Sequence, residues 1–169
     1  MGLRWLPSFL FRAEGWPGYV VRAWLFALLP SLAFAGLLSA LVPDATLPDF
    51  GEPVGRSQKI GLAVSLVLVG PFVETLIMGG LLLPLNRLFG PTVAVLMSAL
   101  LWGLLHSFGT VPFGGTAVPT WGLIVWWPFL IFSVAFLTWR KRGLAGAIGT
   151  VTVIHGMQNS VPTATLLAG

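Results

Sequence analysis

The chain is organised by long apolar runs that charge, glycine or proline interrupts at intervals suited to bilayer-spanning helices. A span needs about 20 predominantly apolar residues. Five stretches qualify or nearly so: 19–42, 59–85, 91–108, 120–139 and 143–159. The second is long enough to tilt or kink. Ahead of them, Leu3, Trp5, Leu6, Phe9 and Leu10 interleave with Arg4 and Arg12, the pattern of a short helix lying in the membrane interface. Arg12 and Glu14 interrupt any signal-peptide core, and no small-residue cleavage site follows. The linker 43–57 carries Asp44, Asp49, Glu52 and Arg56, whereas 109–119 is uncharged and rich in Gly, Thr and Pro. No repeat or low-complexity segment divides the chain. The expected fold is an all-α polytopic bundle of about five transmembrane helices. It comprises an amphipathic amino-terminal segment (1–18), a first span with its outer loop (19–60) and a core (61–169).

Composition agrees and narrows the class. Of 169 residues, 56% are hydrophobic and 8% charged, against about 25% charged in soluble domains. That excludes a soluble globular protein, and the hydrophobicity excludes a disordered one. The net charge of +4 does not point to nucleic acid, because the basic residues are scattered beside apolar runs. They are topology signals. Alternating the five spans gathers Arg4, Arg12, Arg22, Arg87, Arg140, Lys141 and Arg142 on one side, seven of the nine basic residues. Positive charge marks the cytoplasmic face. The amino terminus is therefore expected inside and the carboxyl terminus outside, in a membrane expected to be a prokaryotic plasma membrane. With no cysteine there is neither a thiolate metal site nor a cysteine nucleophile.

The polar residues inside the spans are few. Glu14, Asp44, Asp49 and Glu52 lie outside them, but Glu74 sits within the second, and an ionised carboxylate there costs about 3 kcal/mol on insertion scales. His106 and His155 are also intramembrane, and His155 shares a helix face with Asn159 at i, i+4. At 1.5 Å per residue, Glu74 lies roughly 18 Å from the cytoplasmic end, His106 roughly 22 Å, His155 roughly 18 Å and Asn159 roughly 24 Å. Three helices deliver costly groups to one slab of the membrane. Each residue alone admits a structural role, but their convergence favours a site. Pro71 cannot donate to the carbonyl of Val67, so the helix is expected to kink a turn before Glu74. Gly143, Ala145, Gly146, Ala147 and Gly149 would allow close backbone approach in the fifth helix. The eight Trp read mostly as interface anchors or lipid-facing bulk.

Glu74 after a Pro-containing stretch, Trp102-x-x-x-His106 and His155-x-x-x-Asn159 resemble the CPBP family of CAAX-protease and bacteriocin-processing (Abi) intramembrane proteases. The resemblance runs over about residues 65–160, in the family's order and across its four-helix core. The first family motif is Glu-Glu-x-x-x-Arg followed by Gly. Glu74 matches its first Glu and Gly80 its trailing Gly, while Thr75 and Gly79 stand where the second Glu and the Arg would be. Trp102 replaces the Phe of the second motif. Positions 75 and 79 share a helix face, so the resemblance implies that a pair of opposite charges has been lost together.

The resemblance implies an intramembrane endopeptidase acting on a membrane-associated or prenylated-type protein. Glu74 would be the general base, His106 would orient water or stabilise charge, and His155 with Asn159 would donate to the oxyanion. No cofactor is favoured. Zinc held by Glu74, His106 and His155 is the rival chemistry, but it would spend the single intramembrane carboxylate as a ligand. From the residues alone, a non-catalytic immunity or scaffold member and a small transporter subunit also stay open.

Overall fold

The computed structural model describes residues 2–41, 55–109 and 117–168, and it is all-helical among them. A four-residue 3-10 turn, Ser8–Phe11, precedes α1 (Trp16–Leu41). Next come α2 (Arg56–Val64), a π-helical turn (Ser65–Val69) and α3 (Gly70–Phe108). The chain ends in α4 (Pro119–Arg140) and α5 (Leu144–Ala168). The outer loop with Asp44, Asp49 and Glu52, and most of the Gly/Thr/Pro linker, lie outside the described residues.

Three stretches are long and apolar enough to cross a membrane: Trp16–Leu41, Arg56–Phe108 and Pro119–Arg142. The second has 53 residues, about 80 Å of helix against a hydrocarbon core of about 30 Å. It does not run straight. Gly90 has φ 76° and ψ 168°, a region essentially closed to residues with a Cβ, and Pro91 follows it. Ser133 on α4 shows the outcome, because its hydroxyl reaches both Met78 Sδ at 3.6 Å and Ser98 Oγ at 2.9 Å. Met78 and Ser98 flank Gly90, so α3 folds back there into a hairpin whose arms both pack on α4. This is the break expected between the second and third spans. α5 has 25 residues, enough to span, although His155, Gln158 and Asn159 lower its hydropathy.

α4 is the centre of the bundle. Leu130, Ile131, Val134 and Ala135 are fully buried, as the helix most surrounded by others requires. At one end of the bundle, the amino-terminal segment folds into the protein, differing from the interfacial helix expected. Leu3, Leu6 and Leu10 are buried. The Leu10 carbonyl accepts from Thr138 Oγ1 at 2.8 Å and from the Tyr19 hydroxyl at 3.2 Å, and the Gly2 amide donates to Thr92 Oγ1 at 2.8 Å. An apolar stripe on a short segment packs as well against neighbouring helices as against lipid, and periodicity does not distinguish the two. Two of the eight tryptophans depart from expectation. Trp102 and Trp139 are buried, and Trp16 and Trp127 spend their indole N–H groups on Thr150 Oγ1 and the Phe26 carbonyl.

Candidate active site

The site begins with an irregularity in the backbone. At Ser65–Val69 the helix widens to a π-turn, in which the Gly70 amide donates to the Ser65 carbonyl, five residues back. Pro71 follows with no amide hydrogen. Where a kink was expected one turn ahead of Glu74, the irregularity is this π-turn just before Pro71. A Cβ built on Gly70 would lie 3.8 Å from Glu74 Oε1, so the carboxylate curls back over the glycine four residues before it.

The other carboxylate oxygen, Oε2, is 3.8 Å from His155 Nε2. His155 is 4% exposed. The separation exceeds a hydrogen bond, but a water can bridge it. Glu74 Oε2 is itself buried without a hydrogen-bond partner, and such a group requires an explanation. His106 enters from the carboxyl-terminal arm of α3. Its Nδ1 is 2.8 Å from the Trp102 carbonyl. A carbonyl only accepts, so neutral His106 carries its proton on Nδ1 and presents Nε2 as an acceptor.

Phe129 on α4 joins the two imidazoles. Its ring centroid is 5.3 Å from that of His106 and 5.3 Å from that of His155. Trp102 stacks on its face at 4.5 Å and 10°, and Phe132 packs on His155 at 4.8 Å. The Trp in the second motif thus extends an aromatic wall that holds both histidines. Asn159 takes a different direction, donating from Nδ2 to the Leu66 carbonyl in the π-turn at 2.9 Å. Glu74, His106 and His155 therefore converge on one aromatic-walled region, and Asn159 fastens its edge.

Sequence reasoning missed Gly70, Phe129, Phe132 and Gly156. A Cβ on Gly156 would lie 2.6 Å from the Val67 carbonyl, so this is where α5 makes its close approach. Of the small residues expected to do so, Ala147 is fully buried in the core, whereas Gly149 faces open space and Gly146 has its nearest neighbour at 3.9 Å. The available signals were the Gly70-Pro71 pair, four and three residues before Glu74, and the adjacency of Gly156 to His155. The motif departures are structural too. Thr75 is 1% exposed, and a Cβ on Gly79 would meet Phe136 Cζ at 2.5 Å. Among the described residues, no three His, Asp or Glu side chains stand close enough to hold a metal ion.

These features define a polytopic helical membrane protein with a carboxylate–imidazole cluster inside its bundle. A family model matches residues 56–161, the stretch that carries the π-turn, Glu74 and both histidines. The chain belongs to the family of Rce1-like type II CAAX prenyl endopeptidases, integral membrane proteases of the CAAX type. No curated protein and no solved structure matches it significantly.

Proposed function

We propose that this protein is an intramembrane endopeptidase that cleaves a prenylated, CAAX-type protein or peptide at the membrane, with water activated by Glu74. The observation that carries this reading is the Glu74–His155 pair, 3.8 Å apart, with a buried carboxylate oxygen that no protein donor satisfies. Water placed at that oxygen gives up its proton to Glu74 as it attacks the scissile carbonyl. His106, with Nε2 as acceptor, orients the water. His155 and the second amide hydrogen of Asn159 are the donors for the tetrahedral oxyanion. The proton on Glu74 then passes to the leaving amine. The seven basic residues that alternation of the spans gathers on one side favour an amino terminus on the cytoplasmic side, and the bilayer and the membrane-borne substrate are the partners.

The test is cleavage of a farnesylated CAAX peptide by the protein reconstituted in liposomes. Wild type should cleave, while Glu74→Gln and His155→Ala should lose at least about 100-fold, in the range of lost acid–base catalysis, with unchanged helical content. Chelators should leave the rate intact. Equal cleavage by wild type and Glu74→Gln rejects the assignment, and loss of activity on removing a stoichiometric metal transfers it to zinc chemistry.

A further inference from the structure

We propose that Asn159 is a positioning residue, a clamp on a backbone defect that Pro71 creates, and that Gly156 completes the clamp. The proposal rests on the reading of Glu74 and His155 given above, and its test reads stability and amide exchange beside activity. The Leu66 carbonyl has two possible helical donors. Its α-helical donor, the Gly70 amide, is spent on Ser65. Its π-helical donor would be residue 71, which is proline. The carbonyl is therefore orphaned by the local sequence, at a depth where an unsatisfied backbone group is costly. Asn159 Nδ2 donates to it at 2.9 Å.

The Val67 carbonyl also loses its α-helical donor to Pro71, and only the Phe72 amide, in π register, is left to it along the chain. Gly156 lies against it, so closely that a Cβ there would stand 2.6 Å from the oxygen. Two carbonyls freed by one proline are met by two residues three apart on one face of α5. His155 sits between them in sequence, and its Nε2 is 3.8 Å from Glu74, three residues beyond Pro71. The clamp thus fixes α5 against the segment that carries the base. Asn159 sets the Glu74–His155 separation by way of Leu66, whether or not its remaining amide hydrogen meets substrate.

A double-mutant cycle between Pro71 and Asn159 tests this in detergent-purified full-length protein. Asn159→Ala should lower Tm by about 2–4 °C, the scale of one lost hydrogen bond in a chain of this size. Amide hydrogen exchange should rise over residues 66–75. In a Pro71→Ala background, where residue 71 regains its amide, Asn159→Ala should cost less than half as much. The double variant should also recover the share of cleavage that Asn159→Ala loses through position, though not the share lost with the oxyanion donor. Should the alanine variant not fold, Asn159→Ser, whose hydroxyl is too short to reach Leu66, serves in both backgrounds. Additive Tm changes, with no local rise in exchange, overturn the clamp. Inactive Glu74→Gln with a coupled cycle supports clamp and protease together. An uncoupled cycle with inactive Glu74→Gln leaves the protease and removes the clamp.

Discussion

Gly79→Ala tests the reasoning about the missing arginine, because two effects of comparable size oppose each other there. In a helix interior the change gains about 1 kcal/mol from backbone propensity alone. Against it, the new Cβ would lie 2.5 Å from Phe136 Cζ and 2.7 Å from Cε2, and ordinary carbon contacts require a retreat of roughly 1 Å in a close-packed interior. Phe136 is 1% exposed, so its ring has little room to retreat. Overpacking of this kind costs about 1–3 kcal/mol, and the variant should be destabilised by about 1 kcal/mol net. Phe136→Leu removes the contacted ring atoms at its own cost, and in that background Gly79→Ala should become stabilising by about 0.5–1 kcal/mol. The assay is reversible unfolding in mixed micelles on the four members of the cycle. The same sign for Gly79→Ala in both backgrounds would refute the argument. The consequence reaches the lost charge pair: adding Arg at 79 should not rescue Thr75→Glu until Phe136 is reduced, because the ring occupies the space an arginine would enter.

Other outcomes follow from single positions. Gly90→Ala meets no neighbour within 4 Å and should still cost about 1–3 kcal/mol in thermal unfolding, purely from backbone strain at the α3 hairpin. Gly122→Ala should abolish a stable fold or lower Tm sharply, since its Cβ would overlap Ser107 Oγ and the Gly103 carbonyl where α3 and α4 cross. Thr75→Val should stabilise by about 1 kcal/mol in the same micelle assay, because the buried Thr75 hydroxyl has no partner. A loss of stability instead would show that the hydroxyl holds something.

What was legible in the sequence was local. The break at Gly90-Pro91, the distortion ahead of Glu74 and the convergence of Glu74, His106 and His155 follow from proline chemistry and from counting rise per residue. What was not legible depends on which helix faces which. Phe129 and Phe132 look like any apolar residues of α4 until both imidazoles are found against them. Gly156 looked less important than the small residues 143–149, because glycine count says nothing about where a partner carbonyl lies. Asn159 was read from its spacing to His155, and the backbone carbonyl it serves became identifiable only with the π-turn in view. The amino-terminal stripe was misplaced for the same reason: Leu3, Leu6 and Leu10 bury against protein, a choice that three-dimensional neighbours make.

The account rests on Glu74 acting as a base toward water, and a single-turnover reaction in water enriched in oxygen-18 tests that most directly. Mass spectrometry would follow both the new carboxyl terminus of a farnesylated CAAX peptide and the protein segment containing Glu74. The account predicts one labelled oxygen in the product carboxylate, none in Glu74, and no product with Glu74→Gln. Label incorporated into Glu74, or labelled product formed at wild-type rate by Glu74→Gln, would contradict it.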